Sequence, residues 1–91
     1  IWISITGHGR AEAPNRVGFG DDAAASANLL AKVDDSLWFI GDAIADPITG
    51  ATAATLALGN WLAHSAVLLD VGLSPTAALH SQGALSFGTV F

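Results

Sequence analysis

The sequence predicts a mainly α-helical fold: two longer helices, a short C-terminal helix and an extended N-terminal arm. Three observations carry this expectation. Leu30, Val33, Leu37, Ile40 and Ile44 recur three or four residues apart, as on one helical face. Behind an Asp-Pro pair, the 22 residues from Ile48 to Leu69 contain no formally charged side chain. The whole chain is 52% hydrophobic and only 12% charged, against about 25% charged in an average globular protein. Its mean hydropathy is +0.52.

The 91 residues suit one small domain, whose core would be marginal if it stood alone. So little charge implies that much of the surface is covered by lipid, partner subunits or cofactors. The charge is also uneven. Arg10, Arg16 and Lys32 all lie in the first third, and beyond Pro47 the only formal charge is Asp70. A net charge of −5 argues against nucleic-acid binding, which requires a basic footprint. Without cysteine there is no disulfide, thiolate metal site or cysteine nucleophile. Beginning at Ile1 rather than Met, the chain reads as a processed or trimmed product.

Ile1, Ile3 and Ile5 alternate as in a short strand until Gly7, and the glycine-rich remainder of residues 1–20 reads as a loop-like arm. Asp21 and Asp22 precede an alanine run and suit a helix N-terminus, where carboxylates accept free amides and oppose the dipole. An amphipathic helix is therefore expected over about 22–44. Its weak point is SLWFIG, residues 36–41, which has strand character.

Asp46-Pro47 is a start signal, with Asp as cap and Pro in the first turn. A second helix over about 47–71 would be long enough to cross a bilayer core, at roughly 1.5 Å per residue. Leu58, Trp61, Leu62, Leu68 and Leu69 would form its apolar side. Thr55, Gly59 and Ala63, four apart, would form a small-residue ridge for helix packing. Gly72 would end it. Ser74-Pro75 would open a short helix to about Gln82, and the apolar tail ALSFGTVF would dock on a neighbour.

Few residues are candidates for chemistry. His64 on an apolar helix is costly unless partnered, and a neutral imidazole ligates metals, including the magnesium of chlorophyll. The competing account is an ordinary hydrogen bond to a backbone carbonyl or a neighbouring helix. Asn60 shares its face and, with His64, makes the candidate pigment-binding pair, although it suits helix–helix bonding better than ligation. His8 and His80 have no ligand spacing to each other or to His64. The pairs Asp21/Asp22 and Asp34/Asp35 point about 100° apart on a helix, so they read as caps and solvated residues rather than acid–base dyads. No nucleophile elbow or triad is present, and no metal site is expected.

Residues 46–79, DPITGATAATLALGNWLAHSAVLLDVGLSPTAAL, resemble the second transmembrane helix of PsaK, a family of small peripheral photosystem I subunits. The shared elements are Asp46-Pro47, Thr55-Leu56-Ala57-x-Gly59, His64 and Gly72-Leu73. That resemblance implies a non-catalytic membrane-complex subunit that helps assembly or antenna docking. It further implies thylakoid localisation, chlorophyll and carotenoid as cofactors, and lipid and larger subunits as partners. The positive-inside bias would leave the N-terminal half on the cytoplasmic or stromal side.

Residues 37–63, LWFIGDAIADPITGATAATLALGNWLA, resemble the second flavin-binding motif of FAD-dependent monooxygenases and reductases. Carried over, Asp42 would contact the ribityl chain of FAD, with Pro47, Thr49 and Gly50 at the cofactor turn. The chain would then be a flavin-binding fragment of a longer enzyme, since the dinucleotide fold exceeds 91 residues. The membrane-subunit reading is the leading expectation. The flavin fragment and a soluble acidic helical interaction module are its rivals.

Overall fold

The computed structural model describes residues 1–11 and 13–86 of the chain, and it is a mixed α/β structure. Its elements run β1 (Trp2–Thr6), α1 (Gly20–Ser26), β2 (Leu30–Val33), β3 (Ser36–Phe39), α2 (Ala45–Leu62), β4 (Leu68–Gly72) and α3 (Leu73–Ser86). Two two-stranded sheets form. β1 and β4 pair in parallel, with Trp2 opposite Leu68 and Thr6 opposite Gly72. β2 and β3 form an antiparallel hairpin, with Leu30 opposite Phe39 and Val33 opposite Ser36.

The mainly α expectation is therefore corrected, and the physical reasons are local. The expected helix over 22–44 stops at Ser26. Asn28 adopts φ +61, a left-handed conformation that asparagine tolerates and that cannot continue a right-handed helix. The residues beyond include Val33, Trp38, Phe39 and Ile40, which favour a pleated strand. Asp34, at φ +55, makes the tight two-residue connection between β2 and β3. The three-and-four spacing from Leu30 to Ile44 is thus spread over two short strands and a turn.

The expected helix over 47–71 is also corrected. α2 begins at Ala45, one residue before Asp46-Pro47, and ends at Leu62. His64 takes φ +55 just past the helix. Its N–H donates to the Trp61 carbonyl at 3.1 Å, and the Ser65 N–H donates to the Asn60 carbonyl at 2.9 Å. This pair of bonds is the Schellman closure of a helix C-terminus. The uncharged run then enters β4. Eighteen residues of helix reach roughly 27 Å, short of a ~30 Å hydrocarbon core. Among the described residues no helix is long and apolar enough to cross a membrane. The expectation of a membrane-inserted, thylakoid subunit of photosystem type loses its basis there.

The core is small-residue packing. Ala23, Ala24, Leu29, Ala45 and Ala77 form the buried cluster, with Ala27, Ile40, Ile44, Ile48 and Leu73 packed against it. Alanine lets α1, α2 and α3 approach closely but removes little apolar area from water. The parallel pair lies beside this cluster, with Val71 of β4 buried. α3 follows β4 without a loop and continues through Gly83, where the sequence predicts an end. Of the expected docking tail, residues 87–91 lie outside the described residues.

Candidate functional site

Three regions gather the residues that could carry function. The first is the junction of the α1 and α2 N-termini. Asp22 accepts the Phe19 N–H at 2.7 Å, closing the first turn of its own helix. Asp21 reaches across to accept the Ala43 N–H at 3.0 Å, which ties the β3–α2 turn to α1. Gly20 is buried beneath that turn. A Cβ there would lie 2.6 Å from Ala43 Cβ and 2.8 Å from Asp46 Oδ1. Two of the carboxylates near this junction are therefore committed to structure. Asp42 and Asp46 are exposed.

The second region lies at the carboxyl ends of the parallel strands. A cleft of about 210 Å³ is lined by His8, Gly9, Ala11, Asp70, Gly72 and Pro75. Both Asp70 oxygens accept the Arg10 N–H, at 3.0 and 3.2 Å, and hold the arm after β1 over the strand ends. Gly9 donates its N–H to Thr6 Oγ1 at 2.8 Å. Gly72 permits the close approach of this arm: a Cβ there would fall 2.8 Å from the Gly9 nitrogen. The carboxyl ends of parallel strands, next to a helix N-terminus, are where open α/β sheets bind ligands.

The third region is a groove of about 310 Å³ lined by Ile48, Ala51, Thr52, Thr55, Leu56 and His80. Its hydroxyls are turned inward on α2: Thr52 donates to the Ile48 carbonyl at 2.7 Å and Thr55 to the Ala51 carbonyl at 2.8 Å. His80 Nδ1 lies 3.0 Å from the Thr76 carbonyl. The groove therefore offers mainly apolar surface.

The residues singled out by sequence are scattered among these regions. His64 is exposed at the closing turn of α2, not midway along a helix. Asn60 donates its side-chain N–H to the Leu56 carbonyl of its own helix, at 2.8 Å. The pair does not share one face of a membrane helix, so the chlorophyll expectation loses the setting it rested on. Thr55 and Ala63 are exposed, and a Cβ on Gly59 would meet no atom within 4 Å. The buried ridge of α2 is instead Ala45, Thr49 and Ala53, also four apart. Pro47, Thr49 and Gly50, the cofactor turn of the flavin resemblance, lie inside α2. Thr49 is 1% exposed, and its hydroxyl has no hydrogen-bond partner among the described residues. Among those residues, no group of three histidines or carboxylates is placed to hold a metal ion.

The sequence reading expected an apolar exterior along one membrane helix, and missed that it is spread over both small sheets and α2. All three tryptophans are largely exposed: Trp2 at 68%, Trp38 at 60% and Trp61 at 66%. Leu68 is the cross-strand partner of Trp2, Leu37 and Phe39 flank Trp38 along β3, and Leu58 lies one turn before Trp61 on α2, all exposed. The available signal was the low charge together with tryptophans in three separate segments. Comparison with known proteins adds no identity, since no family model, curated protein or solved structure matches the chain.

Proposed function

We propose that the chain is an association module: an acidic α/β unit whose work is to pack against a partner polypeptide. The observation that supports this is the inverted distribution of its apolar residues. Among the described residues the core is built from alanine with one leucine and one valine, while three tryptophans and most large aliphatics face outward. Large apolar side chains left exposed in this number are available to a partner, and where they gather into patches they mark interaction sites. Burying one such side chain is worth about 1.5–3 kcal/mol, so covering even half of them would exceed what the alanine core supplies. The carboxylates Asp21 and Asp22 serve the fold under this reading, and no catalytic step is assigned.

Sedimentation of the protein as isolated from its source tests the proposal. The chain should run within a particle heavier than its own 9.2 kDa. A monodisperse monomer that binds no hydrophobic dye would refute it.

The cleft at the carboxyl ends of β1 and β4 supports a second reading, in which the module also contributes one wall of a small-molecule site. At about 210 Å³ it is smaller than the ~300–1,000 Å³ of complete ligand pockets, consistent with a wall that a partner completes. His8 and Asp70 would supply its polar contacts. Ligand-induced amide shifts confined to residues 7–11 and 70–76, lost in Asp70→Ala, would support this reading. Shifts spread evenly over the chain would count against it.

A further inference from the structure

The two edges of the β1–β4 sheet differ in a way that identifies what one of them receives. The Trp2 N–H donates to the Val67 carbonyl at 3.0 Å, and the register runs in step to Thr6 opposite Gly72. Alternate residues of a strand address opposite edges. Trp2, Ser4 and Thr6 are therefore bonded toward β4, and Ile3 and Ile5 direct their N–H and C=O groups outward. Among the described residues, β1 has no neighbour on that side.

Natural edge strands are protected by charges, prolines, bulges or a covering segment. β1, with the sequence WISIT, has no charge and no proline, and its pairing register is unbroken. β4 carries Asp70, whose carboxylate clasps the Arg10 backbone. β4 is thus built as an outer strand and β1 is not. A purely parallel sheet is ordinarily covered on both faces and has more than two strands.

The side chains agree. Ile3 and Ile5 share a face with Leu69 and Val71. Val71 is 4% exposed, whereas Ile3 and Ile5 remain 39% and 53% exposed. The cover over β4 fails over β1.

We propose that the outer edge of β1 is a docking edge for a β-strand of the partner polypeptide, an uncharged segment running parallel to β1 with apolar residues beside Ile3 and Ile5. This rests on the association reading and names its contact. The hydrogen-bonding row at Ile3 and Ile5 is complementary to an extended backbone, not to a helix or a lipid. The absence of charge on β1 leaves the alternation of Ile3 and Ile5 to set the register. A second copy of β1 paired about a two-fold axis would run antiparallel, creating a mixed sheet from a parallel one, so a different segment is the better occupant.

Residue-resolved amide exchange on the complex as isolated, and on the chain alone, tests this. In both, the amides of Ser4 and Thr6 should be protected by β4. Those of Ile3 and Ile5 should slow by about a hundredfold or more only in the complex. If the complex protects α2 and the hairpin while Ile3 and Ile5 keep their free-chain rates, the docking edge is refuted and the association reading survives. Ile5→Pro removes an outward donor while leaving the bonds of Ser4 and Thr6 to β4, and it should weaken the complex at least tenfold. Unchanged affinity would overturn the proposal. Should that variant misfold, a photo-cross-linker at Ile3 in the otherwise native chain decides. Capture of an extended partner segment supports the proposal, and capture of a second β1 or of this chain's own residues refutes it.

Discussion

Gly20→Ala probes the junction on which the fold turns. Alanine is ordinarily the better helix former, by about 1 kcal/mol over glycine in a helix interior. Here the added methyl would sit 2.6 Å from Ala43 Cβ, 2.9 Å from Ala43 Cα and 2.8 Å from Asp46 Oδ1. Asp46 can rotate away. Ala43 cannot, because two of the contacts are at or next to its backbone, which is already held at φ +50. Forcing a methyl into such a site costs about 1–3 kcal/mol. The first helical position gains less propensity than an interior one, so a net loss of about 1–2 kcal/mol is expected. For a domain of this size that lowers Tm by roughly 5–15 °C. Gly59→Ala supplies the control, since a Cβ there meets nothing within 4 Å. It should stabilise by up to about 1 kcal/mol. Thermal and urea unfolding followed by circular dichroism measure both. A neutral or stabilising Gly20→Ala would refute the account of α1 docking under the β3–α2 turn.

Other substitutions test neighbouring parts of the account. His64→Gly should raise stability by about 1 kcal/mol in urea unfolding, because glycine adopts the left-handed C-terminal position without the cost a side chain meets there; a loss would mean the imidazole makes an interaction beyond the helix end. Thr49→Val should stabilise by about 1 kcal/mol, since it replaces a buried hydroxyl without a partner by a methyl group; destabilisation would show that the hydroxyl is bonded in solution. The double variant Trp61→Ser, Leu62→Ser alters exposed side chains, so unfolding should move by less than about 1 kcal/mol. The same variant should weaken association, read by sedimentation.

How much of this was legible in the sequence varies with the kind of signal. Punctuation was readable. Asp46-Pro47 lies within one residue of the true start of α2, and Ser74-Pro75 within one of α3. Ile3 and Ile5 of the expected alternation lie in β1, which starts one residue after Ile1, and the strand character of SLWFIG belongs to β3. Periodicity misled. Five apolar residues between Leu30 and Ile44 fit a helical face, yet the same spacing is compatible with two four-residue strands joined by a tight turn. The left-handed residues Asn28, Asp34 and His64 decide such cases, and a conformation of that kind leaves little trace in composition when the residue is not glycine. The long uncharged run misled for a related reason. It counts residues without charge, and cannot register that His64 closes a helix and that a strand follows. For the candidate site, the capping role of Asp22 at the start of α1 was readable from its position, but the reach of Asp21 across to Ala43 was not. The Asp70 clasp, sixty residues from Arg10, was not. Nor was the open edge of β1, because an edge is defined by what fails to pair with it.

The central claim is that the exposed apolar surface is covered in the working protein. Hydroxyl-radical footprinting of Trp2, Trp38 and Trp61 measures it directly, in the isolated chain and in the protein as purified from its source. The account predicts rapid oxidation of all three in the isolated chain and strong protection of at least two in the native particle. Equal oxidation of all three in both preparations would contradict it.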